Sequence, residues 1–406
     1  MQRAPGFTQG PQVRPIENPF ARRPFHEFGG LGAQGFGNVP PFIDLIAPGE
    51  DFRVASTFTR NSSALRTNSA FNLENMAINQ PIWDYNRATQ SWRGLRMLPQ
   101  RINKCIHFNL NPTTVTNVIR EGDAAATISV VNDAAALAAA GLNIGNGNVY
   151  RLDNTLGTGL AAATMQGTVG NLNQHAYTAY CRCTGTGSVR RGAIGAVLQQ
   201  FTNIASYQRF GGVIASSGVG DRLSINASAG AVVWFTLADL QEGSFITDPV
   251  VVAGAQATRF PDVYTITDLS WLNPIEGTFI FEYETPALTN NEVLLCLDSG
   301  INNRIVIQHG ATFVNFAVVS GGVVQHTSSQ NISAPSTVKV VFGYKDGDFG
   351  FSVNQGATVP GTAGSVPAVS TFRIGRDPSN VNNAALWPRR LRYCPIKLPN
   401  SMLNLL

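Results

Sequence analysis

From about residue 50, hydrophobic and polar residues alternate along the chain with the two-residue period of a β-strand. The segment 52–60 (FRVASTFTR) is rich in the β-branched and aromatic residues that favour strands. One short helix is predicted at 132–141, where Asn132 and Asp133 cap an alanine run and Gly141 follows as the C-cap. Further strands are predicted at 113–119, 126–131, 175–183, 188–200 and 229–237.

Beyond residue 262 the alternation is clearer, and nine short strands with hairpin-sized loops are predicted. They are 277–285, 292–298, 303–309, 312–319, 322–326, 337–344, 348–353, 370–374 and 386–393. No crossover helices separate them, which favours an antiparallel sandwich or jelly roll. Asp346-Gly347 is typical of a tight hairpin turn.

The strand at 277–285 predicts which of its faces is buried. Phe279, Phe281 and Tyr283 share one face, whereas Glu282 and Glu284 lie on the other. We expect the aromatic face to pack against a second sheet and the carboxylates to reach solvent or a partner.

Residues 1–48 differ in composition from the rest of the chain. Proline and glycine recur too often for a helix or a central strand, yet phenylalanines are interspersed, which is unusual for a disordered tail. We expect an extended attachment arm whose Phe7, Phe20, Phe25 and Phe28 pack into pockets on another chain. An unstructured tail is the alternative.

The predicted fold class is therefore all-β, with two antiparallel β-sandwich (jelly-roll) domains after the extended N-terminal arm. The domains are predicted at 49–258 and 259–406. A chain of 406 residues is long enough for both.

Charge and cysteine usage restrict the class of protein. Charged residues make up only 13% of the chain, well below the roughly 25% of typical globular domains, which suits a subunit of an assembly. A net charge of +4 with scattered basic residues gives no nucleic-acid signal. The five cysteines have no regular spacing, so buried free thiols are expected rather than disulfides or a metal site. No signal peptide and no membrane-length apolar run is present, so we expect synthesis in a cytoplasm and no membrane insertion.

Three segments together resemble a family of bacteriophage virion proteins, the tail or head fibre and decoration proteins. The first runs from 57–64 (TFTRNSSA) through 81–85 (PIWDY) to 93–99 (RGLRMLP). The second comprises 233–245 (VWFTLADLQEGSF) and 257–263 (ATRFPDV), and the third is 386–399 (LWPRRLRYCPIKLP). In order and spacing they are similar to the family's opening motif, its sandwich-ending strand with linker, and its closing strand.

The resemblance covers about residues 55–405 and implies a carbohydrate-binding-module-like sandwich followed by a concanavalin A-like or laminin-G-like one. It also implies a structural or fibre role in a virion, attached to capsid or tail proteins, with a homotrimer as the expected oligomer. Without the family, the same segments are interpretable simply as core strands. The resemblance does not reach residues 1–48, so head, collar and tail positions stay open.

No catalytic, cofactor or metal site is predicted. The five histidines lack metal-ligand spacing, and Asp346 with Asp348 supplies too few oxygens for calcium. Glu282 and Glu284 lie about 6.6 Å apart along a strand, a separation that glycoside hydrolysis allows. The E-x-D-x-x-E pattern of concanavalin-like glucanases is missing there, so we expect no enzyme, with a polysaccharide-degrading one as the least favoured alternative.

Glycan binding without cleavage is the main alternative to a purely structural role. Loops of the last domain carry amides and a carboxylate suited to sugar hydroxyls, and these also have ordinary turn roles. The predicted glycan-contact residues are Asn290, Asn302, Asn303, Asp377 and Asn380.

Overall fold

The computed structural model describes residues 40–406 except 48–50, 53, 107, 117, 168, 194, 219–220, 254, 289–290, 334–335 and 381–382. The predicted arm residues Phe7, Phe20, Phe25 and Phe28, and the predicted glycan contact Asn290, lie outside the described residues. Residues 42–406 form one compact unit.

The first part of this unit contains short strands and hairpins. In chain order they are β1 (Ile43–Ala47), β2 (Asp51–Phe52), β3 (Thr57–Thr59), β4 (Ala64–Thr67), β5 (Leu73–Met76), β6 (Trp83–Asn86), β7 (Ser91–Leu95) and β8 (Arg101–Asn103).

The middle part holds the longer helix. It consists of β9 (Ile119–Gly122), β10 (Thr127–Asn132), α1 (Ala134–Ala139), β11 (Asn148–Asp153), β12 (Ala161–Gln166), β13 (Gln174–Thr184), β14 (Thr186–Arg191), β15 (Val197–Thr202), β16 (Gln208–Ala215), β17 (Arg222–Ala227), β18 (Val232–Glu242) and β19 (Ala257–Arg259).

The last part is almost entirely strand. It consists of β20 (Val263–Ile266), β21 (Glu276–Thr285), β22 (Val293–Asp298), β23 (Arg304–His309), β24 (Phe313–Ser320), β25 (Val323–Asn331), β26 (Ser336–Lys345), β27 (Phe349–Val353), β28 (Val359–Gly361), β29 (Thr371–Ile374), β30 (Trp387–Cys394) and α2 (Asn400–Leu403). No helix in the part of the chain that the structure describes is long and apolar enough to cross a membrane.

These strands form two antiparallel β-sandwiches, as the sequence predicts. Sandwich 1 packs the sheet β10-β11-β18-β13-β16, extended by β8 and β19, against the sheet β15-β14-β17-β12-β9. Sandwich 2 packs the sheet β2-β1-β30-β21-β26-β27-β28 against the sheet β25-β24-β23-β22-β29-β20-β3. The inward residues Phe279, Phe281 and Tyr283 of β21 lie in the second core, which confirms the predicted face.

Sandwich 2 takes strands from both ends of the described chain. β1 pairs with the closing strand β30, and β3 pairs with β20. The predicted division, with an arm at 1–48 and domains at 49–258 and 259–406, does not follow this pairing, because residues 43–59 belong with the last domain. The proline and glycine content around residue 48 conceals the short strand at 43–47, where Leu45 and Ile46 are fully buried.

Residues 60–98, here called the bridging segment, connect the two sandwiches. Leu65 and Leu73 pack in a cluster on the outer face of sandwich 1, whereas Trp83 and Leu95 enter the core of sandwich 2. The segment therefore buries apolar side chains against both bodies, which fixes one relative to the other.

Element predictions were most accurate in sandwich 2. All nine predicted strands beyond residue 262 are present, and the 322–326 strand continues to Asn331. The single strand predicted at 188–200 is wrong, because Gly192, at φ +73°, begins a turn that separates β14 from β15. The strand predicted at 113–119 is wrong, because β9 begins only at Ile119; before it, the hydroxyls of Thr114 and Thr116 share a hydrogen bond of 2.6 Å that is local to the segment.

Candidate functional site

A cluster of buried ions lies where the bridging segment meets both sandwiches. Asp262 accepts hydrogen bonds from Arg60 and from Arg259, each at 3.3 Å, and Arg96 Nε lies 3.8 Å from the same carboxylate. All four side chains are at least 98% buried. Arg96 also pairs with Asp248. We call Arg60, Arg96, Arg259 and Asp262 the junction cluster.

The junction cluster is held by more than ion pairs. Arg60 donates to the carbonyls of Ser62 at 2.8 Å and Ala77 at 2.7 Å, and the Leu98 amide donates to Asp262 at 3.0 Å. Burial lowers the pKa of Arg259 to about 10, although the Asp262 carboxylate acts in the opposite direction. Removing one partner from such a network leaves an unpaired buried charge, which costs roughly 3–5 kcal/mol.

Two further buried carboxylates lie near the junction cluster. Asp84 accepts hydrogen bonds from the Trp387 indole at 2.9 Å and the Thr67 amide at 3.1 Å, so it ties the bridging segment to β30. Asp239 on β18 accepts from Arg209 at 3.2 Å and from Gln241 at 2.7 Å. Burial raises the pKa of Asp84 to about 6 and that of Asp239 to about 7.

The predicted glycan-contact residues do not form one site. Asn302 and Asn303 lie in the turn after Asp298, where the Asn303 side chain accepts a bond from the Gly321 amide at 2.9 Å. Asp377 and Asn380 belong to the loop that reaches the opposite end of β22, near the Val293–Asn383 bridge. Asp377 is only 2% exposed and accepts the Ser379 hydroxyl. These residues lie at the two ends of one strand and have turn roles there.

Glu282 and Glu284 lie on the outer face of sandwich 2, as expected. Arg93 donates to Glu284 Oε1 at 2.9 and 2.5 Å, and Lys339 lies 3.6 Å from Glu282. Both carboxylates are thus neutralised in ion pairs on a sheet surface. Elsewhere in the described chain, no three His, Cys, Asp or Glu side chains gather where they could hold a metal ion.

All five cysteines, Cys105, Cys181, Cys183, Cys296 and Cys394, are buried free thiols. This confirms the prediction from their number and spacing. Cys181 and Cys183 both face the core of sandwich 1, as their alternation on one strand requires.

A row of stacked aromatic and cationic side chains crosses the outer face of sandwich 1. Trp234 on β18 lies directly opposite Arg151 on β11 and Arg182 on β13. The guanidinium carbons of Arg182 and Arg151 lie 3.9 and 5.6 Å from the centre of the indole, and Arg182 also lies 5.7 Å from the ring of Tyr207. We call Arg151, Trp234, Arg182 and Tyr207 the Trp234 row.

Each arginine of the Trp234 row has a carboxylate partner. Asp153 pairs with Arg151 at 2.5 Å, whereas Asp133 accepts from Arg182 Nε and from the Tyr207 hydroxyl, each at 2.7 Å. Burial and the bond to Asp133 both raise the pKa of Tyr207. Burial alone would lower the pKa of Arg182, but the bond to Asp133 raises it. Asp133 is the N-cap residue of α1, as predicted, but its side chain makes no capping hydrogen bond.

A groove borders this row on the side of α1. Its volume is about 310 Å³, and its wall includes Leu137 and Ala138 of the helix and Asn143 and Asn146 of the following loop. Asp133 directly precedes the groove residue Ala134. Asp133 also donates its backbone amide to the carbonyl of the groove residue Gly147 at 2.8 Å, while its carboxylate binds Arg182 and Tyr207, so Asp133 links the groove to the row.

Sequence reasoning missed the Trp234 row as a site. Its members are dispersed between residues 151 and 234 and become neighbours only through the strand order β11-β18-β13. From the sequence alone, Trp234 is interpretable simply as part of a core strand. The signal of such a row is an outward-facing tryptophan with an arginine opposite it on each neighbouring strand. Recognising it requires the strand order, which the alternation of residues along each strand does not reveal.

Comparisons with known proteins give limited similarity. No family model and no curated protein matches this chain. The receptor-binding domain of a botulinum neurotoxin C/D mosaic serotype is 11% identical over 36% of this chain and 40% of its own, with a TM-score of 0.30. Trypanosoma rangeli sialidase with the inhibitor DANA is 12% identical over 35% and 25%, with a TM-score of 0.28.

A third similar structure is domain 4 of an extracellular arabinanase from Geobacillus stearothermophilus, in complex with arabinotriose. It is 14% identical over 40% of this chain and 81% of that domain, with a TM-score of 0.28. The chain spans about two fifths of the botulinum domain. Overlaps this loose carry no argument about function, which must come from the chain's own residues.

Proposed function

We propose that this chain is a structural protein of a bacteriophage virion, a head or tail appendage, fibre or decoration subunit. The observation that carries the proposal is the junction cluster. Arg60, Arg96, Arg259 and Asp262 belong to the segments that resemble the virion family, and they join two sandwiches into one body. A stiff two-domain body suits a part that projects from a particle.

The partners in this proposal are other virion proteins and further copies of the chain, with a homotrimer as the favoured oligomer. The N-terminal arm makes the attachment, and the subunit is assembled onto the virion in the host cytoplasm. The low charge content supports this arrangement, since a surface partly covered by neighbours needs less charge.

The test is the protein content of purified particles. Virions from a culture that expresses this chain are banded on a density gradient, and the chain is quantified against the major capsid protein by mass spectrometry. We expect a fixed, stoichiometric ratio, and a variant lacking residues 1–41 should be absent from the band. A chain found only in the soluble fraction would overturn the structural proposal.

Glycan binding is the second candidate, and the Trp234 row with its groove favours it. Half-buried donors and carboxylates lie together on the outer sheet face there, next to a groove with amide groups at its wall. A receptor-recognition role on the same virion would use this face rather than the loops predicted from the sequence.

We propose no catalytic role for Glu282 and Glu284, since each is held by a cation on a sheet surface. A reducing-sugar assay on the wild-type chain checks this, and no product is expected. Release of sugar that Glu282→Gln together with Glu284→Gln abolished would contradict the proposal.

A further inference from the structure

We infer that the groove beside α1 and the Trp234 row bind one uncharged oligosaccharide. This inference rests on the glycan-binding candidate above and assigns it a place on sandwich 1 and a ligand class. It needs no contribution from the loops of sandwich 2.

A hydrogen-bond donor and an acceptor lie side by side on each flank of Trp234. Arg151 and Arg182 present guanidinium N–H groups, and Asp153 and Asp133 present carboxylate oxygens next to them. A sugar hydroxyl both donates and accepts hydrogen bonds, so neighbouring hydroxyls of one ring match a donor beside an acceptor. Hydrogen bonds to charged partners are stronger than those between neutral groups.

The charges of the row are balanced. It has two guanidinium groups, and each is already paired with one carboxylate. A ligand carboxylate would gain little net attraction and would approach Asp133 and Asp153. The site therefore favours a ligand without charge.

The indole of Trp234 acts on a ligand through the arginines stacked against it. Arg182 lies 3.9 Å from the centre of the Trp234 ring, so it covers one face of the indole, and a sugar cannot stack there. The stacked planes instead fix the guanidinium groups, whose edges carry the N–H donors. Because the donors are held before the ligand arrives, little side-chain entropy is lost on binding.

The dimensions suit a short chain of sugars. Ser129, Arg151, Trp234 and Arg182 lie opposite one another on four adjacent strands, which spans about 14 Å at a strand spacing of about 4.8 Å. The groove volume of about 310 Å³ is at the lower end of the roughly 300–1,000 Å³ range of small-molecule sites. One sugar unit in the groove with further units along the row fits this arrangement.

The experiment starts with the full-length chain on an array of neutral oligosaccharides of glucose, galactose, mannose and N-acetylglucosamine, with sialylated and uronic-acid oligosaccharides as the charged set. The best neutral binder is then titrated by calorimetry at about 0.05 and 0.5 M NaCl. We expect neutral ligands to bind, with a Kd that changes less than about twofold between the two salt concentrations. Salt weakens attraction between charges, and a neutral ligand carries none.

Two pairs of variants locate the site. Ala138→Trp fills the groove, whereas Ala139→Trp places the same side chain at an exposed helix position that does not line it. Arg151→Gln removes a row donor, whereas Arg222→Gln breaks a similarly half-exposed pair with Glu121 on the opposite sheet of the same sandwich. We expect the first of each pair to weaken binding by about tenfold or more and the second to leave it unchanged.

Each other outcome overturns a defined part of the inference. If all four variants bind the glycan equally well, the chain binds glycans but the site does not lie on this face. If the chain prefers acidic glycans and this preference disappears at high salt, the chain binds glycans but the inference that the ligand is uncharged is wrong. No binding to any glycan would overturn both this inference and the glycan-binding candidate, without affecting the virion proposal.

Discussion

At the scale of single residues, Asp239 couples the stability of sandwich 1 to pH. Burial raises its folded-state pKa to about 7, above the roughly 3.9 of an unfolded chain. The folded state therefore binds the proton more tightly, so this stability is fully present below about pH 4 and is lost as the pH rises through about 7. One unit of pKa shift corresponds to about 1.4 kcal/mol, so the loss amounts to a few kcal/mol.

Asp239→Asn should remove this dependence. We expect the free energy of unfolding in urea to fall less steeply between pH 5 and pH 8 in the variant than in the wild-type chain. Asp123→Asn is the control, since Asp123 is partly exposed and backbone hydrogen bonds hold its pKa below the usual value, so it is ionised throughout this range. Parallel slopes for Asp239→Asn and wild type would show that the carboxyl does not titrate there.

For Asp133, the local sequence predicts the position of the residue but not the partners of its side chain. An aspartate before an alanine run predicts an N-cap, and the helix does begin at Ala134. The carboxylate is instead taken by Arg182 and Tyr207, which are 49 and 74 residues away along the chain. The helix was thus predictable from its own residues, but the site was not, because strand pairing brings its members together.

At the scale of elements, Gly94 allows β7 to lie against the closing strand β30. Its φ is +127°, and an added Cβ would overlap the carbonyl oxygen of Pro388. We expect Gly94→Ala to lower the free energy of unfolding by more than about 2 kcal/mol, since about 1–2 kcal/mol comes from the backbone alone and the overlap adds to it.

Gly192→Ala is the matched control for Gly94→Ala. Gly192 also has positive φ, +73°, but nothing lies within 4 Å of an added Cβ. It should show only the backbone cost, about 1–2 kcal/mol. Equal losses in the two variants, measured by urea unfolding, would mean that β7 and β30 are not in close contact at Pro388.

The alternation of hydrophobic and polar residues predicts the strands of sandwich 2 but only some of the strands of sandwich 1. In β21 and β26, aromatic and β-branched residues alternate with polar ones, so their period is plain. β12 reads AAATMQ, which has little β-propensity, yet it is a strand because β17 and β9 pair with it on both sides. This segment is a strand because of its pairing with distant strands, and that pairing is not visible in the segment's own residues.

At the scale of the whole molecule, the proposed attachment arm and the folded unit divide between residues 41 and 42. β1 begins at Ile43, and its Leu45 and Ile46 are fully buried in the core of sandwich 2. Removing residues 1–41 should leave the free energy of unfolding unchanged. Removing 1–47 also deletes a strand paired with β30, and each lost core side chain costs roughly 2–5 kcal/mol.

Urea unfolding of the two truncated chains beside the full-length chain checks this division, with circular dichroism as the probe. A 1–47 deletion as stable as the 1–41 deletion would place β1 outside the fold. If only the 1–47 deletion lowers the free energy of unfolding, failure of the 1–41 deletion to enter particles is attributable to loss of the arm itself. The same failure in the longer deletion would be ambiguous, since loss of β1 also exposes Tyr393 and Leu391 of the closing strand. The 1–41 deletion is therefore the variant that separates attachment from folding.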